Sequence, residues 1–325
     1  MYYVIVNPAS KSGRGRQIWI ELEEVFKEGE IPYKVVFSKG IGHVTQVVAK
    51  LTAPLADNPA ADPIRLIILG GDGTMNEVLQ GISDFDRVWL GYIPTGSSND
   101  LARDLLLPRN PLDILSTIIE GKVVRTMDLG LLTYDNPPGE LSRLHAQEVP
   151  DTRYFSVSSG IGFDAAVCEE ALASRFKNIL NKLGLGKLTY LVIALKQLIA
   201  ARSVSCDIYL DDAKEPIHLN SFLFTAFMIH KYEGGGFKFC PTADSADGIL
   251  DLCVVGNIPK PIILLALPTA FFGKHYMFSQ IKHYSASKAK LTASMPLWVH
   301  TDGEVYAKSD SISISCISQK IKLMM

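Results

Sequence analysis

The chain has 325 residues, 47% of them hydrophobic and 20% charged, with a formal net charge of −2. That length ordinarily makes two domains and that apolar content fills two cores, while the near-neutral balance gives no sign of a nucleic-acid-binding surface. Five scattered cysteines (Cys168, Cys206, Cys240, Cys253, Cys316) lack CxxC spacing, which points away from a disulfide frame or zinc site and toward a reducing compartment. No signal-peptide pattern precedes the first apolar run, and the longest apolar stretch, residues 262–272, contains Pro268 and is too short to span a bilayer. A soluble, cytoplasmic protein is expected.

In chain order, Tyr2 to Val6 reads as a strand, and Arg16 to Phe26 has helical periodicity through Ile18, Leu22, Val25 and Phe26. Val35 to Phe37 is a second strand and His43 to Leu51 a second helix, with His43 either capping it or facing solvent. Leu66 to Leu69 is a continuous apolar run, the pattern of a strand buried on both faces of a parallel sheet. A strand over Val88 to Ile93, a helix over Pro111 to Glu120 and a strand over Val123 to Leu132 complete a βαβα order, which predicts a parallel sheet covered by helices. Asp135-Asn-Pro-Pro-Gly139 is a turn-rich breaker. Beyond it, strands are expected over Arg153 to Ser158, Ser205 to Leu210, Leu219 to Met228, Ile249 to Val255 and Ile312 to Ile317. One helical block, Ala166 to Ala201, is divided by Gly184 and Gly186. The expected boundaries are an α/β domain over 1–132, a β-rich antiparallel domain over 133–318, and a tail over 319–325 that can return to the first domain.

Three glycine-bearing loops carry the chemistry. Gly70 and Gly71 end the third strand without side chains, and Asp72-Gly73-Thr74-Met75-Asn76-Glu77 opens a helix in which Glu77 stands at capping-box spacing from Thr74. Such a turn gathers N–H groups and the positive end of a helix dipole, which suits phosphate. Pro94-Thr-Gly-Ser-Ser-Asn-Asp100 follows the next strand, and Asp100 either binds a metal or N-caps the helix after it. The loop from Asn7 to Gly15 follows the first strand. Loops after consecutive parallel strands meet at the carboxyl edge of the sheet, where open α/β folds bind ligands. Neither a Walker GxxxxGK[ST] sequence nor the HRD and DFG elements of protein kinases is present.

GGDGTMNEV followed by PTGSSNDLAR resembles the diacylglycerol kinase catalytic-domain family, the soluble bacterial lipid kinases related to sphingoid-base kinases. GGGFKFCPTADSADGILDL (Gly234 to Leu252) and HTDGE (His300 to Glu304) match in the same order. The resemblance implies an NAD-kinase-like first domain, a β-rich second domain and an active site in the cleft between them. It implies ATP and Mg²⁺, with nucleotide contacts from Asn7, Pro8, Ser10, Gly13, Ser38, Gly70, Gly71, Asp72, Gly73, Thr74, Met75, Asn76, Glu77, Ser97, Asn99 and Asp100. Lys11-Ser12 interrupts the family's Asn-Pro-x-Ser-Gly pattern in the first loop. Glu304 matches the catalytic glutamate, with Asp302 and Asp128 as the network around it, although DGE alone reads as a plain hairpin turn. Asp247, with the carbonyls of Asp244 and Ile249, matches a structural magnesium loop.

The implied reaction is transfer of the γ-phosphoryl of ATP to a lipid hydroxyl, diacylglycerol giving phosphatidic acid. Another lipid alcohol (phosphatidylglycerol or a sphingoid base) and, less favoured, an NAD kinase are the alternatives. The acceptor implies peripheral contact at the inner face of the membrane, and a homodimer is kept open. The basic, leucine-bearing stretch Arg175 to Lys187 and the apolar run Ile262 to Phe272 fit either a membrane surface or, more commonly, helices packed on the second domain.

Overall fold

The computed structural model describes residues 1–57, 62–121, 124–143, 149–173, 186–201 and 204–325. They group into two compact units, Met1–Leu129 with Ile317–Met325, and Gly130–Cys316.

In the first unit, β1 (Tyr2–Val6), β2 (Tyr33–Phe37), β3 (Ile64–Gly70) and β4 (Val88–Pro94) pair in parallel in the order β2-β1-β3-β4. The apolar run Leu66 to Leu69 is fully buried in β3, as a central strand covered on both faces must be. On one face lie α2 (Gly15–Glu28) and α6 (Pro111–Glu120), which bury Ile18, Trp19, Leu22 and Phe26, and Ile114, Leu115 and Ile118, against Val4, Val6, Ile67 and Leu69. The remaining helices are α1 (Ser10–Gly13), α3 (His43–Asp57), α4 (Asp72–Gly81) and α5 (Asp100–Asp104). Gly81 lets α4 lie close on α3, since a Cβ there would stand 2.5 Å from the Thr45 carbonyl oxygen.

The second unit is built on antiparallel pairing. It contains β6 (Thr152–Phe155), β7 (Ser158–Gly162), β8 (Val204–Leu210), β9 (Ile217–Met228), β10 (Leu250–Gly256), β11 (Ile281–Ala286) and β12 (Lys288–Thr301). Alternating residues feed two apolar clusters. One gathers Ile161, Phe227, Leu252 and Val299; the other gathers Phe224, Met228 and Cys253 under helices. Those helices are α7 (Phe163–Ala173), α8 (Gly186–Ala200) and α9 (Lys260–Ala270). β5 (Val124–Tyr134) and β13 (Glu304–Met324) run from one unit into the other. At its far end β13 pairs in parallel with β4, Lys322 with Trp89 and Leu323 with Leu90.

Several elements differ from the sequence reading. The strand expected over Arg153 to Ser158 is broken at Ser156–Val157, whose N–H groups turn to the Asp302 carboxylate instead of a ladder. The helical block appears as α7 and α8, and residues 174–185, most of the basic stretch, lie outside the described residues. The run Ile262 to Phe272 falls largely in α9, which buries Ile263, Ala266 and Ala270 and leaves Leu264 and Leu265 exposed. Among the described residues no helix is long and apolar enough to cross a membrane. Glu77 is not a capping-box partner: α4 starts two residues earlier, at Asp72, and Glu77 Oε2 accepts the Val44 N–H at 3.1 Å near the start of α3. A long-range donor outcompetes the local cap.

Candidate functional site

At the carboxyl ends of β1, β3 and β4 three loops are bolted together by short polar bonds. Asn7 Nδ2 donates to Thr74 Oγ1 at 3.1 Å, and Asn7 Oδ1 accepts the Ala9 N–H. The Ser10 hydroxyl bonds the Asn7 carbonyl oxygen and the Thr95 hydroxyl, each at 2.8 Å. The Thr95 N–H donates to the Gly70 carbonyl at 2.8 Å. The second and third loops touch through bare backbone: a Cβ on Gly71 would lie 2.9 Å from Gly96 Cα, and one on Gly96 only 2.6 Å from Gly71 Cα. Asn99 clamps Gly96 from the other side, its Oδ1 accepting the Gly96 N–H at 2.8 Å and its Nδ2 donating to the Gly96 carbonyl at 3.0 Å. It adopts φ of +52°, a left-handed conformation that asparagine tolerates better than most residues.

Two carboxylates enter this cluster. Asp72 accepts the Tyr92 hydroxyl on one oxygen and the Asp100 N–H on the other, both at 3.2 Å, so it stitches the start of α4 to β4 and to α5. Asp100 is buried and pairs with Arg103 Nη1 at 2.9 Å; α5 has no side-chain cap, so capping is not the bond its carboxylate makes here. No side chain caps α4 either, and its N-cap is Gly71.

Of the other residues singled out in the sequence, Gly13 sits at φ +92° with open space around it, and Ser97 is exposed. Ser38 follows β2 and bonds the Val6 carbonyl through its N–H at 2.8 Å, beside the end of β1. Thr74, Met75 and Asn76 are buried side chains of α4, and Glu77 serves α3. Thr95 and Tyr92 were not anticipated. A threonine inside PTGSSND and a tyrosine in an apolar strand look ordinary until their partners are known.

In the second unit β12 turns into β13 through Asp302 and Gly303, at φ +50° and +81°, with Thr301 paired to Glu304. Two positive φ angles make the type I′ hairpin for which Asp-Gly is suited. Glu304 is half-buried at the first position of β13. Asp302 accepts the N–H groups of Ser156, Val157 and Ser158 at 3.0, 2.8 and 3.1 Å, which anchors the hairpin to the break between β6 and β7. Asp128 is fully buried in the first unit and accepts the Gln319 N–H at 2.7 Å. Asp244 and Asp247 lie exposed on the turn before β10, each accepting an N–H two residues on, from Ala246 and Ile249.

One buried cluster was not legible in the sequence. Asp164 at the start of α7, Glu233, and His300 on β12 bring their donor atoms within 4.8 Å of one another. Burial raises the Asp164 carboxyl above the usual carboxylate range.

Comparison with known proteins agrees with this architecture. Residues 1–132 match the diacylglycerol kinase catalytic domain, and residues 156–325 match the YegS C-terminal NAD kinase beta sandwich-like domain. YtlR of Bacillus subtilis (strain 168), provisionally named a lipid kinase, is 25% identical over 308 residues, 94% of this chain and 93% of that protein. A diacylglycerol kinase of Mycobacterium tuberculosis (strain ATCC 25618 / H37Rv) is 28% identical over 69% of this chain and 64% of its own length. The structure of a diacylglycerol kinase from Bacillus anthracis str. Sterne superposes with a TM-score of 0.68, covering 99% of this chain and 96% of that one at 20% identity, a likeness of fold. With both domains matched in order, the chain belongs to the diacylglycerol kinase catalytic-domain family of lipid kinases.

Proposed function

We propose that this chain transfers the γ-phosphoryl of ATP to a lipid hydroxyl, with diacylglycerol as acceptor and phosphatidic acid as product. The observation that carries the nucleotide half is the Gly71–Gly96 contact at the ends of β3 and β4, beside the uncapped start of α4. It keeps side chains away from a helix N-terminus, the arrangement that suits a polyphosphate. Asn7, Ser10, Thr74 and Asn99 hold that geometry, and Asp72 and Asp100 offer carboxylates beside it.

Phosphoryl transfer needs little covalent help from a protein, and positioning and charge supply most of the rate. Glu304 is the proposed base: it takes the proton of the acceptor hydroxyl as its oxygen bonds the γ-phosphorus. The bond to the β,γ-bridging oxygen breaks and ADP leaves. Asp302, with three N–H groups on its carboxylate, fixes the turn carrying Glu304. A magnesium ion on ATP would offset charge on the phosphates. A second would fit the hard oxygen donors of Asp247 and the Asp244 and Ile249 carbonyls. The test is incubation of purified protein with labelled ATP, Mg²⁺ and mixed lipids. Labelled phosphatidic acid supports the reading, another labelled lipid moves the acceptor, and labelled NADP from NAD removes it.

A further inference from the structure

His300 stands at the middle of a buried hydrogen-bonded centre that reaches the hairpin carrying Glu304. Its imidazole is fully enclosed, with Nε2 3.3 Å from Asp164 Oδ2 and 3.3 Å from Glu233 Oε1. On the ring's other side the Gly303 N–H donates to Nδ1 at 3.2 Å. Gly160, paired with His300 across β7 and β12, leaves room for this arrangement, because a Cβ there would lie 2.0 Å from Asp164 Oδ2 and 2.5 Å from His300 Nε2. Three glycines at positive φ, Gly234, Gly235 and Gly236, return the chain to Glu233, which exchanges backbone bonds with Phe237 at 2.9 Å. Asp164 Oδ1 accepts its neighbour's N–H, from Ala165, at 2.7 Å.

We propose that His300 is a positioning residue: Nδ1 holds the Gly303 N–H, and so the turn bearing Glu304, while Asp164 and Glu233 fix the ring by sharing its Nε2–H. The proposal rests on the reading of Glu304 as base. The donor spacing would also admit a cation, but a metal on Nε2 requires the proton on Nδ1, where the Gly303 N–H already points. Burial disfavours the imidazolium and the Glu233 and Asp164 carboxylates favour it, which on electrostatics alone raises the His300 pKa. The Gly303 N–H opposes protonation at Nδ1, because Nδ1 cannot carry a proton and accept one. The geometry therefore favours the neutral Nε2–H tautomer, with the Gly303 N–H on Nδ1.

The experiment uses the full chain labelled with ¹⁵N-histidine, together with His300→Gln. Glutamine keeps a donor near Nε2 and removes the Nδ1 acceptor. One histidine should show protonated Nε2 and unprotonated Nδ1 across about pH 6 to 8, and His300→Gln should remove that signal. Amide exchange over residues 300–304 should accelerate in the variant. With diacylglycerol in mixed micelles, its kcat should fall about 10–100-fold at unchanged KM for ATP. A protonated Nδ1 at His300 overturns the proposal, as does stoichiometric Zn²⁺ or Mn²⁺ binding abolished by His300→Gln. So does a folded His300→Gln with wild-type exchange and kcat. If His300→Gln does not fold, the His300 signals are assigned in the wild type through the contact of its ring with the Gly303 amide, and its tautomer decides. The reading of Glu304 fails separately: full turnover by Glu304→Gln removes the base and leaves the tautomer and the Gly303 bond standing.

Discussion

Replacing Gly71 by alanine tests the proposed nucleotide site with a single methyl group. At φ −98° and ψ −173° the backbone of Gly71 is extended and accepts alanine without torsional strain, so the effect comes from contact alone. The added Cβ would stand 2.9 Å from Gly96 Cα, whereas carbons in van der Waals contact sit about 3.5–4.0 Å apart. The loops must therefore separate by roughly 0.6–1 Å. Gly96 cannot retreat cheaply, because Asn99 holds both its N–H and its carbonyl, and the Thr95 N–H is bonded to Gly70. Overpacking of this kind costs about 1–3 kcal/mol, which a stable domain survives. A misplacement near 1 Å can cost on the order of 10²-fold in a reaction that depends on positioning. ATP affinity by calorimetry should drop in Gly71→Ala while urea denaturation still shows a cooperative transition. A well-folded variant with wild-type ATP affinity would refute the assignment of this contact to the phosphate site.

Glu304→Gln keeps the shape of the side chain and cannot accept a proton, so turnover should fall about 10²–10⁴-fold with ATP binding retained, read by steady-state kinetics and calorimetry. Asp302→Ala should destabilise the second unit by about 2–5 kcal/mol in urea, because three N–H groups lose their acceptor. Mg²⁺ should raise the melting temperature of the wild type and not that of Asp247→Ala; an equal rise in the variant places the ion elsewhere. Burial lowers the His275 pKa from 6.5 to about 4, so the unfolded chain binds the extra proton first. Stability should fall as pH drops from 6.5 toward 4, and a His275→Gln variant should show a flatter profile over that range.

What could be read from the sequence was local. The apolar run of β3 and the glycine loops after β3 and β4 identify themselves within a dozen residues, and the structure gives them the expected strand–loop–helix form. What stayed hidden depends on partners far along the chain. Glu77 obeys a four-residue capping pattern, yet its carboxylate goes to Val44, 33 positions away. Asp302 interrupts an apparent strand at Ser156–Val157, which no periodicity around Arg153 could announce. Asp164, Glu233 and His300 each have an unremarkable neighbourhood, and only the register of β7 with β12 unites Asp164 with His300.

The last residues of the chain have a consequence for its birth. Until Lys322 and Leu323 emerge, β4 has a neighbour only in β3 along the sheet path, and its other edge offers unpaired backbone groups. All of Gly130–Cys316 is synthesised in between. At ordinary translation rates that interval is roughly 10–40 s. The pairing of β4 at Trp89 and Leu90 is thus completed only after the second unit is made, which leaves that edge of a nascent chain open to mispairing with another copy in the interval.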